Sequence, residues 1–262
     1  MQKTVTDQMG ERLTFTFPPQ RIMSLVPSQT ELLFALGLAD RVVGVTKFCV
    51  HPAQLVAPKV RVGGTKRFRF DVIASLQPDL ILGNKEENYE EGIARLKADY
   101  PVWMSDIKTL SQALAMIEAV GEMTDTAAAA HSLITQIEAG FANLRPLLRP
   151  YRIAYFIWQK PYMVVGQDTF IQDMLARCGF DNVFVGLHGR YPEVTPDMIQ
   201  AANPDAIFLS SEPFPFTEKH KTVFAQAFHV PVLLVDGELF SWYGSRLLTA
   251  VAYLQKLITY LP

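Results

Sequence analysis

Short apolar runs alternate along this chain with longer amphipathic stretches. Runs at 21–25, 80–82, 102–104, 152–157, 206–209 and 232–235 are bounded by Pro, Asp or polar loops and predict buried strands. Helical patterns lie between them. Pro27 and Ser28 open a helix to about Leu38; Ser28 with Glu31 predicts a capping box, and Gly37 the helix end. A second helix runs from about Thr169 to Arg177 and stops at Gly179. The middle of the chain is helical throughout. One helix covers about 110–122, broken by Gly121 and the Thr124–Asp125 pair, and another covers 126–148. In the latter, Leu133, Ile137, Phe141, Leu144 and Leu148 form one apolar stripe. At ~1.5 Å per residue that helix would span roughly 35 Å, with Pro146 a point where it ends or kinks sooner. Strands alternating with helices predict parallel sheets covered on both faces.

The pattern repeats. Residues 71–82 are echoed by 197–208 at an offset of 126 (197 − 71), with identities at Asp71/Asp197, Ile73/Ile199, Pro78/Pro204, Asp79/Asp205 and Ile81/Ile207. The same offset lays Glu86 on Glu212. Each copy reads as an acid at a helix start, a short helix, a Pro-Asp turn and a buried strand. In the second copy Thr195 is the expected N-cap and Pro196 the first helical residue. Arg21 and Arg152 begin the two halves alike. The organisation expected is an N-terminal α/β lobe at 1–108, a helical segment at 109–150 and a C-terminal α/β lobe at 151–262. No flexible Gly/Ser linker intervenes, so the lobes are expected to move little against each other.

Composition narrows the function. The 262 residues carry 24 Lys plus Arg against 26 Asp plus Glu, a net charge of −2, and 49% are hydrophobic. That is a folded globular composition, without the basic face a sequence-independent nucleic-acid binder needs. Cys49 and Cys178 are too few for a disulfide framework or a structural zinc site, although a single pairing stays open. No apolar run reaches the ~18 residues of a membrane span. The polar start, Met1 to Asp7, lacks the apolar run of a secretory signal and reads as a cytosolic or a mature-length chain. The phosphate-loop, dinucleotide, zinc-protease and nucleophile-elbow motifs are absent, so a binding protein is expected rather than an enzyme.

Ligands of open α/β sheets collect outside the carboxyl ends of the strands. Here those ends lead into loops at 26–29, 47–52, 64–70 and 83–89, and at 158–162, 187–192, 210–216 and 237–243. If the lobes face each other, the loops line one cleft. They are rich in rings: Phe48, Phe68, Phe70, Trp158, Tyr162, Tyr191, Phe214, Phe216, Phe240, Trp242 and Tyr243. Flat faces of this kind suit a macrocycle or a catecholate; the alternative is that the rings pack beneath their own loops. Candidate ligand residues are Phe48, Lys66, Arg67, Phe68, Trp158, Tyr162, Tyr191 and Trp242. Lys66, Arg67 and Arg69 would hold an anionic chelate or form a solvated loop. Cys49 and His51, two apart, offer a thiolate and an imidazole to a soft or borderline metal, completed by Glu86, Glu87, His188 or Glu212; the alternative is a hydrogen-bonded loop.

Residues 21–37 (Arg21 to Gly37), Val43-Gly44-Val45, 62–66 and 73–82, with 166–171, 179–184 and 191–194, together resemble the helical-backbone (class III) substrate-binding proteins of ABC importers, above all the cobalamin-binding members. The likeness runs from about Arg21 to Leu261. It implies two Rossmann-like α/β lobes with largely parallel sheets, bridged by a single long helix, with a ligand cleft between them. It also implies a metal-chelate ligand (corrinoid, haem or ferric siderophore), no intrinsic cofactor, an ABC permease/ATPase partner, a monomer, and a place in the periplasm or at the cell surface. Tyr191 aligns with a ligand-stacking aromatic of the family, and Trp158 lies one residue from another. The family's first-lobe stacking Trp is replaced by Thr65 or Lys66. Asp71 and Asp197 align with the acids that meet permease arginines. The alternative is a cytosolic chelatase-like or metal-handling protein on a similar fold, which the N-terminus and the Cys49/His51 pair favour.

Overall fold

A computed structural model describes residues 1–260. Leu261 and Pro262, the end of the expected C-terminal lobe and of the family likeness, lie outside the described residues. In chain order the elements are β1 (Gln2–Thr6), β2 (Arg12–Thr16), β3 (Ile22–Ser24), α1 (Pro27–Ala35), β4 (Val42–Val45), α2 (Ala53–Val56), β5 (Val60–Arg61), β6 (Gly63–Gly64), β7 (Arg67–Phe68), α3 (Phe70–Leu76), β8 (Leu80–Asn84), α4 (Glu90–Asp99), β9 (Val102–Ser105), α5 (Leu110–Thr124) and α6 (Ala127–Ala142). There follow β10 (Tyr151–Trp158), β11 (Tyr162–Val164), α7 (Phe170–Arg177), β12 (Phe180–Asn182), β13 (Glu193–Val194), α8 (Pro196–Ala202), β14 (Ala206–Ser210), α9 (Glu218–Phe228), β15 (Val232–Val235), α10 (Glu238–Ser241) and α11 (Leu247–Tyr260). Among the described residues no helix is long and apolar enough to cross a membrane.

The chain divides into two compact units. Unit 1 is Met1–Asp106, Ser111–Ala139 and Tyr243–Leu247; unit 2 is Ile107–Leu110, Gly140–Trp242 and Leu248–Pro262. Of the helical stretch, Ser111–Ala139 falls in unit 1 and Gly140 onward in unit 2.

Unit 1 is built on a five-stranded sheet in the order β5-β4-β3-β8-β9, parallel throughout. The apolar runs that predicted these strands are buried on both faces, as a parallel sheet requires. One face packs Met23, Leu25, Ile81, Val102 and Met104 against Ile73 of α3 and Ile93 and Leu96 of α4. Gly44 keeps β4 close to that layer: a Cβ there would lie 2.9 Å from both Leu76 Cδ1 and Val62 Cγ1. The hairpin β1–β2 was not legible as such in the sequence. Buried Asp7 holds its turn by accepting from Met9 N and Glu11 N (2.9 and 2.8 Å), and ties it to β9 through Met104 N (3.3 Å).

Three helix expectations are corrected. The Ser28–Glu31 capping box does not form, because the helix begins two residues earlier than that box requires, with Val26 as N-cap and Pro27 as first residue. Glu31 instead forks onto Arg246 at 2.9 and 3.1 Å. Gly121 does not break α5; it lets α6 approach, a Cβ there falling 2.4 Å from Ala130 Cβ, and the chain turns at Asp125 in the left-handed region. The stripe of α6 is buried at Leu133 and Ile137, but the helix ends at Ala142 and Leu148 is fully exposed. Its 16 residues span about 24 Å at ~1.5 Å each, not 35.

Unit 2 has a six-stranded mixed sheet, β13-β11-β10-β14-β15 with β12 also pairing β10. β10, β12, β14 and β15 run parallel, whereas β11 pairs antiparallel with β10 and β13 antiparallel with β11. Its core is aromatic: Phe156, Phe184, Phe216 and Phe224 are buried with Ile199, Ile207 and Leu209. Phe224 alone meets Phe156, Tyr162, Phe216 and Phe228 at centroid distances of 5.1, 5.2, 5.9 and 5.7 Å.

The sequence repeat is a structural repeat. Asp79 accepts from Gln20 N and Arg21 N (2.7 and 2.8 Å), Arg21 donates to Leu76 O, and Asp79 N returns a bond to Arg21 O. In unit 2, Asp205 accepts from Arg152 N (2.8 Å), Arg152 donates to Asn203 O and Ala202 O, and Asp205 N returns to Arg152 O. Gln77 and Asn203, equivalent by the repeat, end α3 and α8 with φ of 44° and 43°. Thr195 caps α8 as expected, accepting from Met198 N.

Candidate functional site

In unit 1 the carboxyl ends of β3, β4, β8 and β9 are lined by buried polar side chains. Gln29 Nε2 and Asn84 Nδ2 both donate to Ser105 Oγ (2.7 and 2.9 Å). Asn88 Oδ1 accepts from Asn84 N (2.9 Å), and its amide donates to Leu25 O and Thr65 O. The Thr30 hydroxyl lies 2.8 Å from Ser24 Oγ and 3.1 Å from Cys49 Sγ. Buried polar groups favour conformations that give them partners; here Gln29 Oε1 is the network atom left buried without one, and the remaining bonds tie the loops together. Gly83 leaves room for it: a Cβ there would sit 2.9 Å from Asn88 Oδ1.

Cys49 belongs to this network. Its thiol is fully buried, 3.1 Å from Thr30 Oγ1 and 3.2 Å from Thr46 Oγ1, and burial pushes its pKa up. His51 is half-buried before Pro52. Among the described residues no group of three or more His, Cys, Asp or Glu is placed to hold a metal ion. Cys49 and Cys178 are both free and buried, and burial raises the Cys178 thiol to about 12.

The basic loop of unit 1 carries Lys66 and Arg67 on its surface, with Lys66 Nζ donating to Glu86 O (2.7 Å). Phe48 is half exposed, with Lys47 Nζ 4.9 Å over its ring. Phe68 differs from expectation. Only 6% exposed, it packs between Phe70 and Tyr89 in the core, because β6 and β7 form a small hairpin that turns its ring inward.

In unit 2, Trp158 closes β10 with 39% of its surface exposed, its ring edge-on to Phe214 at 5.5 Å. Tyr162 is half-buried, since β11 folds back antiparallel and sets its ring against Phe156, Phe224 and Phe228. Tyr191 is half-buried in a loop held by Val164 N to Pro192 O and Gly166 N to Arg190 O. Trp242 is nearly buried, and its Nε1 donates to Glu212 Oε1 (2.9 Å). Ser241 Oγ donates to the same oxygen (2.7 Å). Burial raises the Glu212 carboxyl above the usual carboxylate range, and the charges of Glu238 and Asp236 add to this, while the bonds from Ser241 and Trp242 oppose it. The Ser241 and Trp242 anchoring of Glu212 was missed in the sequence; the repeat, which laid Glu212 on Glu86, was the signal available.

Asp71 and Asp197 are exposed second residues of α3 and α8, where a carboxylate complements the helix N-terminus. The repeat thus places one exposed acid at the same point of each unit.

These features meet in a known family: the periplasmic binding protein profile matches residues 22–228. The chain belongs to that family. It is 27% identical over 198 residues to the vitamin B12-binding protein of Vibrio cholerae, covering 74% of this chain and 71% of that one. It is 29% identical over 215 residues to the uncharacterized ABC transporter substrate-binding lipoprotein YvrC of Bacillus subtilis, covering 78% of this chain and 68% of that one. Among solved structures, the vitamin B12-binding protein BtuF of Vibrio cholerae superposes with a TM-score of 0.76 at 24% identity, over 94% of this chain and 98% of that one. The haem-binding protein BhuT, in complex with two haems, gives 0.80 at 24%, over 91% and 97%. At these identities the superpositions establish the α/β fold. The family is one of binding proteins, and the chelatase-like alternative has no counterpart among these relatives.

Proposed function

We propose that this chain is the substrate-binding component of an ABC importer for a metal chelate, a corrinoid first, with haem and ferric siderophores as the other members of the class. The observation that carries the reading is the exposed Trp158 ring braced edge-on by Phe214 at the carboxyl edge of the unit 2 sheet. A large aromatic left open and held rigid there is a platform for a flat macrocycle. The relatives named for vitamin B12 favour the corrinoid. Phe48, Lys66, Arg67, Trp158, Tyr191 and Trp242 are the residues assigned to the ligand. Phe68 and Tyr162 brace the loops from within. Asp71 and Asp197 are assigned to the permease, where paired surface acids steer encounter with basic residues. The descriptions of relatives as periplasmic or as a lipoprotein support a place outside the cytoplasmic membrane, and the chain is proposed to act as a monomer.

Tryptophan fluorescence titrated with cyanocobalamin, haemin and a ferric siderophore tests the reading. Saturable quenching at one ligand per chain is expected for one of the three, weakened about tenfold or more in Trp158→Ala. Absence of quenching by all three would sink the proposal.

A further inference from the structure

We propose that Glu212 sets specificity in unit 2, selecting a chelate whose periphery carries uncharged amides and rejecting one whose periphery carries carboxylates. The inference rests on the chelate-binding reading above. Glu212 sits just past the end of β14, in the same loop as Phe214, the ring that braces Trp158. Its position is built rather than incidental. Ser241 Oγ and Trp242 Nε1 converge on Oε1, Ser210 Oγ donates to the Glu212 carbonyl (2.6 Å), and Gly237 makes the space, since a Cβ there would lie 2.6 Å from Glu212 Cγ.

The partners chosen are a hydroxyl and an indole, both neutral. Among the described residues no Lys or Arg pairs with this carboxylate, and the charges acting on it, Glu238 and Asp236, are acids. When it is ionised, a carboxylate held in place without a cation has its charge met by no basic side chain of the protein, and with Ser241 and Trp242 both on Oε1 the lone pairs of Oε2 are left for a donor from outside. Amide N–H groups satisfy it; a ligand carboxylate brought alongside leaves two like charges partly desolvated, which is how a site rejects a near-isostere.

The test uses one macrocycle with two peripheries: dicyanocobinamide, whose ring carries carboxamides, and dicyanocobyrinic acid, whose ring carries carboxylates in their place. Both are titrated calorimetrically at pH 8 into the wild type, Glu212→Gln and Glu212→Ala, with haemin as a third probe. The wild type is expected to prefer the amide by about tenfold or more. E212Q should gain roughly tenfold for the acid and hold cobinamide within about threefold. E212A should show the same gain for the acid and lose cobinamide affinity, so the result does not hang on one variant's folding. Equal wild-type affinities, a ratio that both variants leave unchanged, or a wild type that takes haemin and refuses cobinamide would each overturn the proposal. A wild type that binds none of the three probes would bring down the chelate-binding reading itself, and this inference with it.

Discussion

The two units share a frame and differ in their filling. Both start their first central strand at an arginine clamped to the Pro-Asp turn of the next helix–strand unit, and both end that helix on a left-handed residue. Around this frame unit 1 has a parallel β4 beside β3 and a hydrogen-bonded interior at its strand ends, with Gln29, Asn84, Asn88 and Ser105 buried. Unit 2 has antiparallel β11 in that place and a core of phenylalanines meeting edge to face. The loop after the second repeated strand diverges in the same spirit. At Glu86 the basic loop of unit 1 reaches over the backbone through Lys66, whereas Glu212 is held only by neutral donors. What the halves have in common serves folding; part of what separates them lies in the strand-end loops proposed to meet the ligand.

The contrast is open to measurement by chemical denaturation. Phe224→Ala should have the largest effect, about 3–5 kcal/mol, because it empties a fully buried ring site that its four aromatic neighbours cannot close. Asn88→Ala, the matching insult to unit 1, should cost about 2–3 kcal/mol through stranded backbone groups rather than a void. If Asn88→Ala cost as little as a surface change, unit 1 would not be locked by its polar network. The shared frame predicts near-equal, smaller losses for Asp79→Ala and Asp205→Ala, about 1–2 kcal/mol each, with Asp79 the larger because its side chain accepts two backbone N–H groups to the one of Asp205. A loss confined to one of the two would break the equivalence.

The smallest effect concerns pH. The fold favours the protonated form of Glu212, so wild-type stability should fall as pH rises from the ordinary carboxylate value of 4.5 through the raised one. Glu212→Gln lacks that proton. The stability of the wild type relative to the variant should therefore decline between pH 4 and pH 7 in paired melts, the other carboxylates cancelling. A flat difference would mean that Glu212 is not penalised by its burial.

Much of the frame was legible because it rests on local chemistry. Asp79 and Asp205 are fixed by the turn, Thr195 and Pro196 by the helix start, and the strands by runs buried on both faces. The errors have physical sources as well. Ser28 and Glu31 have the spacing of a capping box, but Pro27 is the better first residue of a helix and Arg246, over two hundred positions away in sequence, competes for Glu31. Phe68 and Tyr162 stand in ring-rich loops, and nothing local says that a hairpin in one case and an antiparallel return in the other turns them inward. Cys49 looked like half a metal site until Thr30, nineteen residues before it, supplied a hydrogen-bond partner.

The arginine clamps carry one more consequence, for engineering. Each ties the start of a strand to the last carbonyls of a helix at the amino edge of its sheet. The loops at the opposite edge take no part in that closure. Their exposed parts can therefore be treated as cassettes: segments 85–87 or 211–213 can be grafted between relatives of different cargo without loosening the knot that registers the strands beneath them, provided buried Asn84, Asn88, Ser210 and Phe216 are kept.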